Sequence, residues 1–178
     1  PEKLAMQKTG LVLSNTASVE YGDQIREATA SLEYSNRLIS KENVADGYDY
    51  AAHGNKWKFV VNPYNLPLEN IKINDILPDD TSTVVVDIVE ITDREYRLGK
   101  RIPLPTVEGT TVNGSFEVAN ALISYTASTS NIELQIKPLD DSIDIKNDRY
   151  DIYYTTELKE DARISEDYVV NGVTVENK

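Results

Sequence analysis

The stretch from Lys56 to Pro78 constrains this chain more than any other. Trp57, Phe59 and Val61 alternate with Lys56, Lys58 and Val60, a period of two that puts the aromatic side chains on one face of a strand. Asn62-Pro63 and Leu66-Pro67 then punctuate a turn. Ile71 and Ile73 share the apolar face of a second strand, Lys72 and Asn74 take the opposite one, and the apolar parity runs on through Asp75. The alternation therefore aims a carboxylate at a core, where an ionised group is costly unless paired or protonated.

The same period recurs along the chain. Leu11, Leu13, Asn15, Ala17, Val19 and Tyr21 form one alternating set, Gly22-Asp23 reads as a turn, and Ala28, Ala30, Leu32 and Tyr34 form another. Residues 11–35 thus read as a β-hairpin, with a helix over 23–34 as the rival because good helix formers lie between Gln24 and Leu32. A short strand begins at Leu38 and runs through Lys41, and turn signals fill 43–55 at Asp46-Gly47 and His53-Gly54-Asn55. The β-branched run from Val84 to Ile91 predicts a strand buried on at least one side. Residues 93–115, rich in Gly and Pro, read as loops around a short strand, and 116–125 as a strand or a helical turn. Ile132, Leu134 and Ile136 alternate cleanly, 138–147 is an acidic loop, Tyr150–Thr156 is a strand, and Val169–Val175 is the last one. About nine or ten short strands separated by turns, with little helix, predict an all-β sandwich.

Composition removes several function classes. The 178 residues suffice for one domain with a sizeable core, or one domain plus a fragment. A net charge of −12 argues against nucleic acid as a partner and against docking on an anionic membrane. No apolar run approaches the roughly 20 residues of a membrane span, so no membrane insertion is expected. The residues present contain no signal-peptide, lipidation or sorting motif, and a chain running from Pro1 to Lys178 reads as a segment of something longer. There is no cysteine, which excludes disulfides, thiolate metal sites and a Cys nucleophile. His53 is the single histidine, and no nucleophile-elbow pattern accompanies it, so it reads as a turn residue. Asp140, Asp141, Asp144, Asn147 and Asp148 offer oxygen atoms, but without EF-hand spacing they read as a solvated loop, and Asp79-Asp80 reads as a turn. No Gly-rich phosphate loop is present, and neither cofactor nor metal is expected.

Five segments occur in a telling order: Ile39-Ser40-Lys41; Trp57 to Asn62; Leu68 to Pro78; Tyr150 to Thr156; and Val169-Val170-Asn171-Gly172-Val173-Thr174-Val175. Together, over roughly residues 36–178, they resemble the collagen-adhesin-type repeat of cell-wall-anchored surface adhesins of Gram-positive bacteria. The resemblance implies a variant immunoglobulin-like β-sandwich carrying an autocatalytic Lys–Asn isopeptide bond. Residues 1–35, a lead-in and hairpin, are similar to the end of a preceding repeat, because Leu13 to Val19 looks like the closing strand of such a domain.

In that pattern Lys41 is the amine, Asp75 the acid and Asn171 the amide acceptor, with Asn15 the alternative acceptor. Parity supports this: Lys41 shares a face with Ile39, Asp75 with Ile71 and Ile73, and Asn171 with Val169, Val173 and Val175. The plainer reading is an exposed Lys41, a turn-capping Asp75 and a strand-edge Asn171. The resemblance further implies an extracellular, cell-wall-anchored module that carries load or binds a ligand. It is no enzyme beyond its own intramolecular cross-linking. Its expected partners are neighbouring repeats and a host extracellular-matrix protein or other surface ligand. The alternative is a carbohydrate-binding or accessory β-sandwich of a secreted enzyme, which the core-like position of Trp57 disfavours.

Overall fold

The computed structural model describes residues 11–34, 38–49, 53–162, 168–170 and 173–175. It is all-β, 67% strand, and the described residues contain no α-helix. None of their helices is long and apolar enough to cross a membrane. The chain forms two compact units, Pro1–Leu38 and Ile39–Lys178.

In the first unit β1 (Leu11–Tyr21) and β2 (Gln24–Tyr34) pair antiparallel around a two-residue turn, with Tyr21 opposite Gln24. Gly22 takes φ +58, a conformation that a Cβ disfavours. Strand wins over the helix formers because the hairpin matches like with like across its register. Ser14 meets Ser31 and Thr16 meets Thr29 through hydroxyl hydrogen bonds of 2.9 and 2.8 Å, and Ala17 lies opposite Ala28.

The second unit holds β3 (Ile39–Asp49), β4 (Gly54–Val61), β5 (Ile71–Ile76), β6 (Thr81–Ile91), β7 (Arg94–Pro103), β8 (Val112–Val118), β9 (Ala121–Ala127), β10 (Asn131–Pro138) and β11 (Tyr150–Leu158). A 3₁₀ turn at Glu160–Ala162, β12 (Tyr168–Val170) and β13 (Val173–Val175) follow. Two antiparallel sheets, ordered β3-β4-β11-β6-β7 and β5-β10-β9-β8, pack as a sandwich. Alternating residues supply the core: Phe59, Val61, Ile152 and Tyr154 from one sheet, Ile73, Ile123, Leu134 and Ile136 from the other. Trp57 and Ile71, expected with them, are half-buried and pack against the cluster.

The connection from β4 to β5 is held by Asn62, whose side chain is fully buried. Its Nδ2 donates to the Leu66 and Asp148 carbonyls at 2.9 Å each, and its Oδ1 accepts from the Leu66 amide at 2.8 Å. That knot fixes where β5 begins, and so where Asp75 falls.

Four segments differ from the sequence expectation. The turn signal Asp46-Gly47 does not end β3 but makes a bulge, with residues 44–47 inserted opposite Lys56. A Cβ on Gly47 would collide with the Val44 carbonyl and the Lys56 side chain. In 93–115, β7 is a full ten-residue strand, its Gly99 serving an irregularity in the β6–β7 pairing rather than a loop. Residues 116–125 are neither one strand nor a helical turn but parts of β8 and β9, joined through Ala119-Asn120; Ala119 adopts φ +51 with no glycine to announce it. Finally, 169–175 is not one strand. Val170 pairs with Val173, and β12 and β13 run antiparallel, as the sequence Asn171-Gly172 between them favours.

Candidate functional site

Lys41 lies opposite Phe59 across the β3–β4 pairing, so its side chain shares the inner face of the five-stranded sheet. Asp75 lies opposite Ile132 in the other sheet, on the face that continues Ile73. Being at the end of β5 nearest β3, the two side chains meet across the sandwich. Lys41 Nζ donates to Asp75 Oδ1 at 2.7 Å. The Asp75 side chain is only 7% accessible and that of Lys41 31%, so the carboxylate is inside and the amine has one open side.

Aromatic rings line the rest. Lys41 Nζ stands 4.7 Å from the centre of the Trp57 ring and 5.9 Å from those of Phe59 and Tyr154. Phe59 and Tyr154 stack at 4.9 Å with 22° between their planes. Trp57 is held by its indole N–H, which donates to Thr156 Oγ1 at 2.9 Å. The second oxygen of Asp75 is also engaged, because Tyr154 OH donates to Oδ2 at 2.6 Å. Burial, then the hydrogen bond and charge of Asp75, push the Tyr154 phenol far above its ordinary range, so it remains a donor. The buried Asp75 carboxylate thus meets one charged donor, Lys41, and one neutral donor, Tyr154.

Of the sequence candidates, the structure thus brings Lys41 and Asp75 together. Asn171 lies outside the described residues, and the β12–β13 pairing means that its face cannot be taken from Val169 and Val173 as if all three shared one strand. Asn15 is exposed on β1, opposite Ala30. His53 is a half-buried turn residue at φ +47. In the acidic loop Asp140 Oδ1 accepts from the Ser142 amide and hydroxyl, and Asp144 Oδ1 from the Lys146 amide, so both carboxylates cap turns.

One residue of the site, Tyr154, escaped the sequence reading. Tyr154 falls in the expected Tyr150–Thr156 strand, but its hydroxyl partner comes from the opposite sheet and no spacing announces that. In the sequence, Leu11-Val12-Leu13-Ser14-Asn15-Thr16 and Val173-Thr174-Val175-Glu176-Asn177-Lys178 share a pattern, two aliphatics, a polar residue and an asparagine at the same steps. Asn177 lies outside the described residues.

A second lysine–aspartate pair occupies the outer face of the five-stranded sheet. Asp151, 7% accessible, accepts from Lys58 at 2.8 Å and from Arg149 at 2.8 and 2.9 Å. Burial pushes its carboxyl up, but the hydrogen bonds from Arg149 and Lys58 outweigh it and hold the group below the usual aspartate range. Burial likewise works against the Lys58 ammonium, and its bonds to Asp151 and Tyr153 leave it raised.

No protein-family model, curated protein or solved structure matches this chain.

Proposed function

We propose that Ile39–Lys178 is a variant immunoglobulin-like module of a bacterial cell-surface adhesin, locked by a spontaneous isopeptide bond from Lys41 to an asparagine of the 171–178 segment. The observation that carries this reading is the 2.7 Å hydrogen bond from Lys41 to Asp75, made between two sheets inside a wall of Trp57, Phe59 and Tyr154. A lysine whose only task was solubility would point to water. Asp75 takes the ammonium proton, the free amine attacks the side-chain amide carbon, and the protonated acid steadies the developing oxyanion. The expected acceptor was Asn171; the internal recurrence adds Asn177 as a candidate from the same segment.

The covalent tie would enclose about 130 residues and stabilise the fold by about 5 kcal/mol in the entropic treatment. Such a module carries load or presents a ligand-binding surface at the cell wall, among neighbouring repeats and facing a host extracellular-matrix protein or another surface ligand.

Intact mass tests the reading. The folded chain is expected about 17 Da lighter than its sequence, the mass of one ammonia lost in the acyl transfer. Because an Asn-Gly pair can also lose ammonia by closing on itself, the tandem spectrum must show the Lys41 peptide branched to residue 171 or 177. Full mass, or an unbranched Lys41 peptide, would refute the bond.

A further inference from the structure

Asp75 has two oxygens, and only one of them faces the amine. Oδ1 accepts from Lys41 Nζ and Oδ2 from the phenol of Tyr154, at 2.7 and 2.6 Å. We infer that Tyr154 is a positioning residue for cross-linking, fixing Oδ1 as the oxygen that carries the catalytic proton. The inference rests on the isopeptide reading above and adds a residue to it.

The argument is one of hydrogen-bond supply. A phenol has a single hydrogen, and the Tyr154 ring is clamped by its stack on Phe59. While its O–H points at Oδ2, a proton on that oxygen would leave the phenol a hydroxyl oxygen to donate to, a poorer acceptor than the carbonyl oxygen it faces when the proton is on Oδ1. Turning the phenol round to accept would strand its own hydrogen in a buried setting, at the cost of an unmade bond. The proton leaving Lys41 therefore settles on Oδ1, beside the nitrogen that is about to attack.

The balance is then complete without any outside reagent. One proton moves from the Lys41 ammonium to Oδ1, and the Nζ lone pair forms a bond to the acceptor amide carbon while Oδ1–H donates to its oxygen. The bond from that carbon to the leaving nitrogen breaks. The departing nitrogen takes one proton from the new amide nitrogen and one from Oδ1, and leaves as ammonium. Asp75 returns to a carboxylate still held by Tyr154.

The test follows the loss of mass with time when the full chain, kept unfolded since synthesis, is refolded by dilution from denaturant. Tyr154→Phe preserves the ring stack and removes only the donor. It is expected to slow the 17 Da loss about tenfold, and to displace the pH profile of the rate, which a purely structural loss would leave in place. Site-specific difluorotyrosine at 154, a stronger donor of nearly the same shape, should displace that profile in the opposite sense, and it serves alone if the Phe variant does not fold. An unchanged rate and profile in these variants, with the wild-type chain still cross-linking, would overturn the role of Tyr154 and leave the isopeptide standing. A wild-type chain that never loses mass would overturn both.

Discussion

The five-stranded sheet carries a lysine–aspartate pair on each face, and the two are nearly the same length. Lys41 reaches Asp75 at 2.7 Å on the inside, and Lys58 reaches Asp151 at 2.8 Å on the outside. Both carboxylates are equally buried. What differs is the remaining company. Asp151 has a second cation, Arg149, held by two hydrogen bonds, so handing it a proton from Lys58 would leave a guanidinium without its counterion. The remaining partner of Asp75 is a neutral phenol. Moving one proton inside the Lys41–Asp75 pair therefore discharges both groups at once. On the isopeptide reading, the count of charges around the carboxylate, and not distance, separates the structural pair from the reactive one.

The sharpest way to break the comparison is to remove each carboxylate in turn. Asp75→Ala is expected to restore full mass and to lower the melting temperature on the order of 10–20 °C, because the cross-link is lost along with the ion pair. A variant that still lacks 17 Da would show that the inner pair is not the catalyst. Asp151→Asn should leave the mass deficit intact and cost about 2 kcal/mol, since it strands two cations but touches no covalent bond; denaturant unfolding measures it, and a loss of cross-linking would collapse the distinction between the faces.

Acid should act on the outer pair in a defined direction. The Asp151 carboxyl lies below its ordinary 3.8 when folded, so its stabilisation is present above that value and is lost as pH falls through the lower, folded one. Urea titrations of wild type and Asp151→Asn should converge in that acid range; a constant gap down to the lowest pH would place the effect elsewhere.

The smallest expected effect is the exchange of Lys58 for arginine, and the same exchange at Lys41 is its sharp contrast. Lys58→Arg should change stability by less than about 1 kcal/mol, since a guanidinium still meets Asp151. Lys41→Arg should abolish the bond outright, since an arginine does not give up its proton to become a nucleophile. Equal tolerance at both positions, read by mass and melting, would mean that Lys41 is only an ion-pair partner.

Much of this was legible in the sequence. Period two in 57–61, 71–75 and 132–136 placed β4, β5 and β10 and the parity of Asp75, because on a half-buried strand the face decides the side chain. Parity failed where the strand was not regular. In β6 the inward set changes from Val84 and Val86 to Val89 and Ile91, because Asp87 is an extra residue opposite Tyr153 and Tyr154 and turns to accept from Thr155 Oγ1. At the C-terminal end the expected single strand 169–175 is two, β12 and β13, paired antiparallel, and Asn171 lies outside the described residues. The hydrogen bond from Tyr154 to Asp75 joins positions 79 apart and depends on which strands the two sheets set face to face, which no local pattern encodes.

The placement of β3 at one edge of its sheet, with β7 at the other, bears on how copies of this protein tolerate crowding. An unpaired edge invites another chain to add a strand, and β7 is guarded by Arg94, Arg97, Lys100 and Arg101 along its length. On β3, an edge among the described residues, the guards are the bulge at 44–47 and Lys41, an inward-pointing charge that a foreign strand would have to desolvate. If that lysine is consumed in an amide, its share of the guard is given up as the domain becomes hardest to unfold, and the bulge at 44–47 remains.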